Sequence, residues 1–256
     1  MECTHIQVGH VRNNSLPALS LEGRRALITG AGSSIGQMIA LGYAQAGADL
    51  VLVGRRAAPL EATAVAARKF GAVVEVIPAD ITVELDVERI KEAAGHIDIL
   101  VNSAGGSRPA IPVDAPEEEW ESVMTLNFVR VRQLTHAVLP DMISHNWGRV
   151  INLSGKSEPD SLLAATPAKA AIHGWSKGLS RKVGKHGITV NCLAPGRIMS
   201  EQIRRKYSPE FRAHEEQHEI PVGRYGEPEE IAAMAVFLAS PRGSYVTGTV
   251  IPVEGG

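Results

Sequence analysis

Residues 26–36, Ala-Leu-Ile-Thr-Gly-Ala-Gly-Ser-Ser-Ile-Gly, join an apolar run to a glycine- and serine-rich turn, and a helical pattern starts at about Ser34. A strand that turns sharply into a helix aims the first unpaired N–H groups of that helix at one point. The helix dipole favours negative charge at the same point. Gly30, Gly32 and Gly36 let the backbone turn tightly and approach a pyrophosphate, so the chemistry implied is dinucleotide binding. Ser33, Ser34 and Ile35 complete the candidate contacts of this turn.

Three further strand ends bear on the same ligand. The second candidate strand closes Val51-Leu52-Val53-Gly54-Arg55-Arg56. A carboxylate there would hydrogen-bond the adenosine ribose and disfavour a 2′-phosphate. Instead two arginines follow, and a guanidinium grips phosphate bidentately, so NADP(H) is expected over NAD(H). The competing reading is a pair of surface arginines that opens a helix. Asp80, followed by Ile81, either accepts a hydrogen bond from the adenine amino group or caps a helix beginning near Val83. Asn102-Ser103-Ala104-Gly105 supplies small residues where backbone must pass close to a ligand or another strand, which makes Asn102, Ala104 and Gly105 candidate contacts.

The elements that would hold these residues alternate in type. Strand-like runs are expected at 26–29, 49–53, 73–77, 97–101, 150–153, 188–193 and 249–253, with helical patterns between them. Several runs are continuously apolar, as when both faces of a parallel sheet are covered. In the first helix Ile35, Ile39, Tyr43 and Ala46 recur at three- and four-residue spacing, and Gly47 ends it. A long helix is expected over 116–145, stopped by Asn146–Gly148, and another over about 167–184. The pattern predicts one α/β domain over residues 21–256, a Rossmann-type doubly wound parallel sheet, preceded by a flexible lead-in over 1–20. Its ligand should lie beyond the carboxyl ends of the strands.

Taken in order, these motifs resemble the short-chain dehydrogenase/reductase family over residues 22–256. Its elements are Thr29-Gly30 to Gly36, Asp80, Asn102 with Ala104-Gly105, Asn127, Lys169, Asn191, Pro195-Gly196 and the closing Gly255-Gly256. Ser34 stands where the family usually has its middle glycine, and a serine there can cap the helix. The resemblance implies hydride exchange between a nicotinamide and a carbonyl or alcohol carbon. It also implies that Lys169 holds the nicotinamide ribose. The segment Pro195, Gly196, Ile198 and Ser200 would contact the carboxamide, through the Ile198 backbone and the Ser200 hydroxyl.

The catalytic pattern is broken. The family places a tyrosine four residues before its lysine, one helical turn away, and here that position is Ala165. No tyrosine occurs between Phe128 and Tyr207. Ser154 lies eleven residues before Ala165 rather than the usual thirteen, so Ser154 or Gly155 takes the family's serine position. Thr166-Pro167 reads as an N-cap and first helical residue, which would start this helix late. The candidate catalytic set is Asn127, Ser154, Lys169 and Lys156, the last as a relocated acid with Glu158 and Asp160 as its rivals. Three readings stay open: another proton donor, catalysis through water held by Asn127 and Lys169, or a nucleotide-binding subunit without turnover.

Composition narrows the partners. Net charge is −2 without a basic or acidic block, which argues against nucleic acid and anionic membrane surfaces. No apolar run approaches the roughly 18 residues of a membrane span. Cys3 and Cys192 are the only cysteines, so a reducing, cytoplasmic setting is expected. The nine histidines are scattered along the sequence without metal-ligand spacing; His214 and His218 sit in a polar run, and no metal site is expected. A lid-like stretch over 201–220 carries Arg204, Arg205, Lys206 and Arg212, which suit an acidic substrate or a phosphopantetheine carrier, or merely a solvated helix. The expected partners are a small carbonyl or alcohol substrate, with acyl thioesters among the candidates, and further copies of the chain in a homotetramer or homodimer.

Overall fold

The computed structural model describes residues 19–106, 114–155 and 162–256. Seven strands form one parallel sheet in the order β3-β2-β1-β4-β5-β6-β7. They are β1 (Arg25–Thr29), β2 (Asp49–Gly54), β3 (Val74–Pro78), β4 (Ile99–Asn102), β5 (Gly148–Leu153), β6 (Ile188–Pro195) and β7 (Val250–Val253). The order reverses between β1 and β4, the crevice at which open α/β sheets bind ligands. Every predicted strand is present, with ends displaced by two residues at most.

Alternation along the strands builds two cores. Ala26, Ile28, Leu50, Leu52, Ile99 and Val101 face one side, where α1 (Ser34–Gln45), α2 (Ala57–Arg68) and α9 (Pro228–Ala239) pack. Leu27, Val51, Val53, Leu100 and Val150 face the other, against α3 (Glu84–Ala94) and α5 (Arg130–Ser144). This two-residue period is the pleat of a sheet covered on both faces. The helix α6 (Ala165–Val183) packs on β6, while α4 (Glu117–Met124), α7 (Glu201–Lys206) and α8 (Pro209–His218) lie near the carboxyl ends of the strands or beyond them in the chain.

Several expectations are corrected. The helix over 116–145 is two helices joined by a π-helical turn, Thr125–Val129, because Asn127 diverts a backbone carbonyl from the regular ladder. The helix expected from Pro167 starts at Ala165 instead. Thr166 is inside it and Pro167 is its third residue, a position whose missing N–H has no intrahelical partner in any case. The lid stretch holds two short helices, capped by Ser200 and by Ser208. Asp80 does not cap α3: its carboxylate accepts from the Thr82 N–H at 2.9 Å and the Thr82 hydroxyl at 2.8 Å, and Val83 is the N-cap. The lead-in over 1–20 lies outside the described residues except for Leu19 and Ser20.

Ser34 is likewise not a cap. Ser33 is the N-cap of α1, and Ser34 follows with φ +48°, the left-handed region that L side chains avoid. Strain there costs about 1–2 kcal/mol, part of which glycine would return as unfolded-state entropy. Ser34→Gly should therefore stabilise the chain by about 0.5–1 kcal/mol, read as a small rise in Tm by calorimetry. An unchanged or lower Tm would show that the serine is unstrained.

Candidate active site

The crevice at the sheet reversal is a cleft of about 630 Å³. One wall is the β1–α1 turn, with Gly30, Gly32, Ser33, Ser34, Ile35 and Gly36 all on its surface. Thr29 sets the turn's position: its hydroxyl oxygen accepts from the N–H groups of Ser103 at 3.1 Å and Ala104 at 3.0 Å. Gly30, at φ +69°, then passes the Ser103–Ala104 backbone so closely that a Cβ would sit 3.0 Å from the Ala104 nitrogen. Ser33 makes no side-chain cap bond to α1, and no acidic residue occupies the first turn. The helix's leading N–H groups are thus left for an anion.

Arg55, Arg56, Asp80 and Ile81 line the far end of the cleft, and both arginines are exposed. Gly54 closes β2, so no carboxylate stands where a ribose diol would be read. Ala104 and Gly105 line the middle, but Asn102 does not. Asn102 is buried beneath the cleft, where its amide donates to the Thr135 hydroxyl at 3.1 Å and the Asn152 carbonyl oxygen at 2.8 Å. Asn152 continues this polar chain to Ser176 at 2.9 Å, and the Cys192 thiol joins it at 3.4 Å. The Asn102 side chain thus forms part of the floor beneath the cleft.

Asn127 and Lys169 meet at Gly105. A Cβ on that glycine would lie 3.0 Å from Asn127 Oδ1 and 3.1 Å from Lys169 Nζ, so its absence keeps a small space between them open. Asn127 is fully buried in the π turn; it accepts from the Gly106 N–H at 3.2 Å and donates to Gly106 O at 3.1 Å and Val123 O at 3.0 Å. Lys169 donates to Leu153 O at 2.8 Å. Burial pulls its amine down to about 8, against an opposing contribution from the nearby Cys192. One turn further along α6, His173 has its Nε2 enclosed without a hydrogen-bond partner among the described residues. Burial and the Lys169 charge both push His173 below the usual histidine range. Its four-residue spacing from Lys169 is the sequence signal that could have marked it.

The remaining candidates are placed differently. The Ser154 hydroxyl, just past the end of β5, donates to the Leu193 carbonyl of β6 at 3.1 Å. Ala165 is buried beside Val123 and Ala164, with Trp120 packed on them. Lys156, Glu158 and Asp160 lie outside the described residues. Pro195 ends β6, Gly196 passes against Glu254, and Ile198 is buried and bridges to Gly226. The Ser200 hydroxyl accepts from the Ile203 N–H at 3.2 Å as the cap of α7.

Sequence reading missed a buried clamp behind this segment. Glu215 of α8, 1% exposed, pairs with Arg197 at 2.8 Å and accepts from the Tyr225 hydroxyl. Burial and that carboxylate raise the Tyr225 phenol well above its usual value. The other tyrosines are also engaged or remote: Tyr43 is enclosed against α9, Tyr207 stacks on Phe211, and Tyr245 stands in solvent.

A Rossmann sheet, a glycine turn over its crevice and an Asn–Lys pair at the crevice edge define a nicotinamide-dependent oxidoreductase scaffold. The chain belongs to the short-chain dehydrogenase/reductase family, and the family profile described as enoyl-(acyl carrier protein) reductase matches residues 30–256. It is 39% identical over 253 residues to the rhamnolipids biosynthesis 3-oxoacyl-[acyl-carrier-protein] reductase of Pseudomonas aeruginosa, covering 94% of this chain and 98% of that protein. Among solved structures, the Pseudomonas aeruginosa RhlG/NADP active-site complex superposes with TM-score 0.86 at 37% identity, covering 94% of this chain and 99% of that one. A 7α-hydroxysteroid dehydrogenase complexed with NADH and 7-oxo glycochenodeoxycholic acid superposes with TM-score 0.88 at 30% identity, over 93% of this chain and 95% of that one. Among the described residues, no helix is long and apolar enough to cross a membrane.

Proposed function

We propose that the chain is an NADP(H)-dependent oxidoreductase acting on a carbonyl or alcohol, in which the Lys169 amine takes over the proton transfer that a phenol would otherwise perform. The observation that carries this reading is the gap at Gly105, bounded by Asn127 and Lys169, in a chain whose residue 165 is alanine. When bound, the coenzyme supplies or accepts hydride at its nicotinamide ring. Lys169 holds a proton in the range useful for acid–base work near neutral pH, because burial brings it to about 8. Asn127, fixed on both sides by Gly106, orients a water or a substrate oxygen beside that amine. The cleft's glycine turn and the open first turn of α1 bind the pyrophosphate.

Arg55 and Arg56 select the 2′-phosphate, since neither faces a carboxylate at the end of β2. Replacing both by alanine should weaken NADPH binding about 10- to 100-fold, one charge-assisted bidentate contact being worth roughly 1.5–3 kcal/mol, and leave NADH nearly unaffected. Thermal protection by each coenzyme measures this. Equal losses for the two would remove the NADP assignment. Turnover is assayed by coenzyme oxidation over a carbonyl panel that includes 3-oxoacyl thioesters, the substrate class in the name of the Pseudomonas reductase.

The second reading is a nucleotide-binding member with little or no turnover, serving a regulatory or structural role. Ala165, packed beneath Trp120, and the Ser154 hydroxyl bonded to Leu193 favour it. Tight NADPH binding with no turnover on the panel would decide for it. In either case the chain self-associates through the outer faces of α5 and α6 and the edge strand β7, whose alternate residues are exposed. Light scattering tests that assembly.

A further inference from the structure

The folded chain brings one histidine against a carboxylate and a second histidine from a distant helix end. His96 lies in the loop before β4, and Asp141 and His145 lie one turn apart at the end of α5. The ligand atoms of all three fall within 4.8 Å of one another. This corrects the expectation of scattered histidines. The cluster sits at the amino ends of β4 and β5, the opposite end of the sheet from the coenzyme cleft.

We propose that His96, Asp141 and His145 bind a divalent transition-metal ion of the zinc class, with Asp98 fixing the far side of the His96 ring. Two imidazoles and one carboxylate form a donor set suited to such an ion, whose protein bonds run about 2.0–2.2 Å. Tetrahedral ligands at that length stand about 3.3 Å apart. His145 Nδ1 lies 3.6 Å from Asp141 Oδ1, and on binding an ion it would give up its present 2.9 Å contact with the Asp141 backbone carbonyl. His96 Nδ1 is 2.5 Å from Asp141 Oδ2, so that pair must open by less than about 1 Å around an ion. The Asp141 carboxylate is partly exposed, so solvent borders it on one side.

A second feature separates this cluster from an ordinary surface ion pair. The other ring nitrogen of His96, Nε2, lies 3.4 Å from Asp98 Oδ1. Asp98 is nearly buried and is itself held by the Arg24 guanidinium at 3.0 Å and the Arg25 N–H at 3.0 Å. A carboxylate behind a ligating histidine fixes its orientation and raises its basicity, the arrangement found around most histidine-bound metals. His96 and Asp141 also border a groove of about 530 Å³ between α3 and α5, with Lys91, Ala137 and Ser144 on its walls. An ion with three protein ligands keeps a coordination position there for water or a small anion.

The test uses the full, untagged chain stripped of metal. Calorimetric titration with Zn(II) should find one saturable site, and Co(II) bound there should give visible absorption bands of tetrahedral intensity. His96→Ala and His145→Ala should each remove that site, and the conservative Asp98→Asn should weaken it about 10- to 100-fold. A control variant, His214→Ala with His218→Ala, should keep it, because those stacked rings lie on a solvated face. NADPH protection should be unchanged throughout, which separates failure of this proposal from failure of the coenzyme reading. Absence of saturable binding, or stoichiometry that survives the His96→Ala/His145→Ala double variant, would overturn the assignment.

Discussion

Lys169→Met should cut turnover by about 10²- to 10⁴-fold, the usual worth of a positioned acid, while the coenzyme-free protein becomes more stable. The two effects have one cause. Burial lowers the amine to about 8 from its ordinary 10.5, so at neutral pH the folded chain carries an ammonium group that water would hold more favourably. Between about 8 and 10.5 the unfolded chain binds a proton that the folded chain does not, so this contribution makes stability rise with pH across that window. Below about 8 both states are protonated and the penalty is fully present. Methionine removes it, and a gain of about 1–3 kcal/mol at pH 7 is expected in denaturant unfolding. The rate of carbonyl reduction by the unaltered chain should fall as pH climbs past about 8, as the amine loses its proton. A rate that is flat across that range, or a variant that keeps full turnover, would remove Lys169 from the proton transfer.

Gly36→Ala should abolish coenzyme protection, with an affinity loss of at least about 100-fold. A methyl group at this position would lie 2.3 Å from the Gly30 carbonyl oxygen and 2.8 Å from its carbon, both of them backbone atoms. Neither can swing aside as a side chain would, so the β1–α1 turn itself must shift, and with it the N–H groups aimed at the pyrophosphate. Gly178→Ala is the matched control: its Cβ meets nothing within 4 Å on an exposed face of α6. It should leave NADPH binding intact and stabilise the helix by about 0.5–1 kcal/mol. Equal coenzyme affinity in the two variants would mean that the turn does not contact the ligand.

Features with a local physical signature were legible before the structure. Continuous apolar runs marked the strands because the sheet is covered on both faces, and the glycine turn and Gly47 marked the bounds of the first helix through backbone constraints. What escaped depends on distant partners. Ser34 read as a cap because serine prefers that role, yet Ser33 takes the N-cap position and Ser34 follows in left-handed φ, where Gly36 packs closely on Gly30 in the same turn. Thr166-Pro167 carried the preference of a helix start, but the α6 N-terminus packs onto Val123 two residues earlier. Asn102 read only as part of a small-residue stretch at a strand end, whereas its amide is held below the cleft by Thr135 and Asn152. The Glu215 clamp joins Arg197, Glu215 and Tyr225, and the His96 cluster joins His96 to the helical pair Asp141 and His145, contacts between segments that no periodicity connects.

The π turn at Thr125–Val129 acts as a gear between two helices. One additional residue in a helix rotates everything beyond it by about 100° about the axis. Val123 can therefore point toward the start of α6 while Val131, Leu134 and Val138 are turned inward, although a single uninterrupted rod could not satisfy both registers. Asn127 sits at the tooth where the phase changes, so the hold of its amide on Gly106 is set by two separately packed helices. Removing any single residue from 125–129 would restore regular winding, misalign one of those faces and withdraw the amide from Gly106, even with every other side chain left as it is.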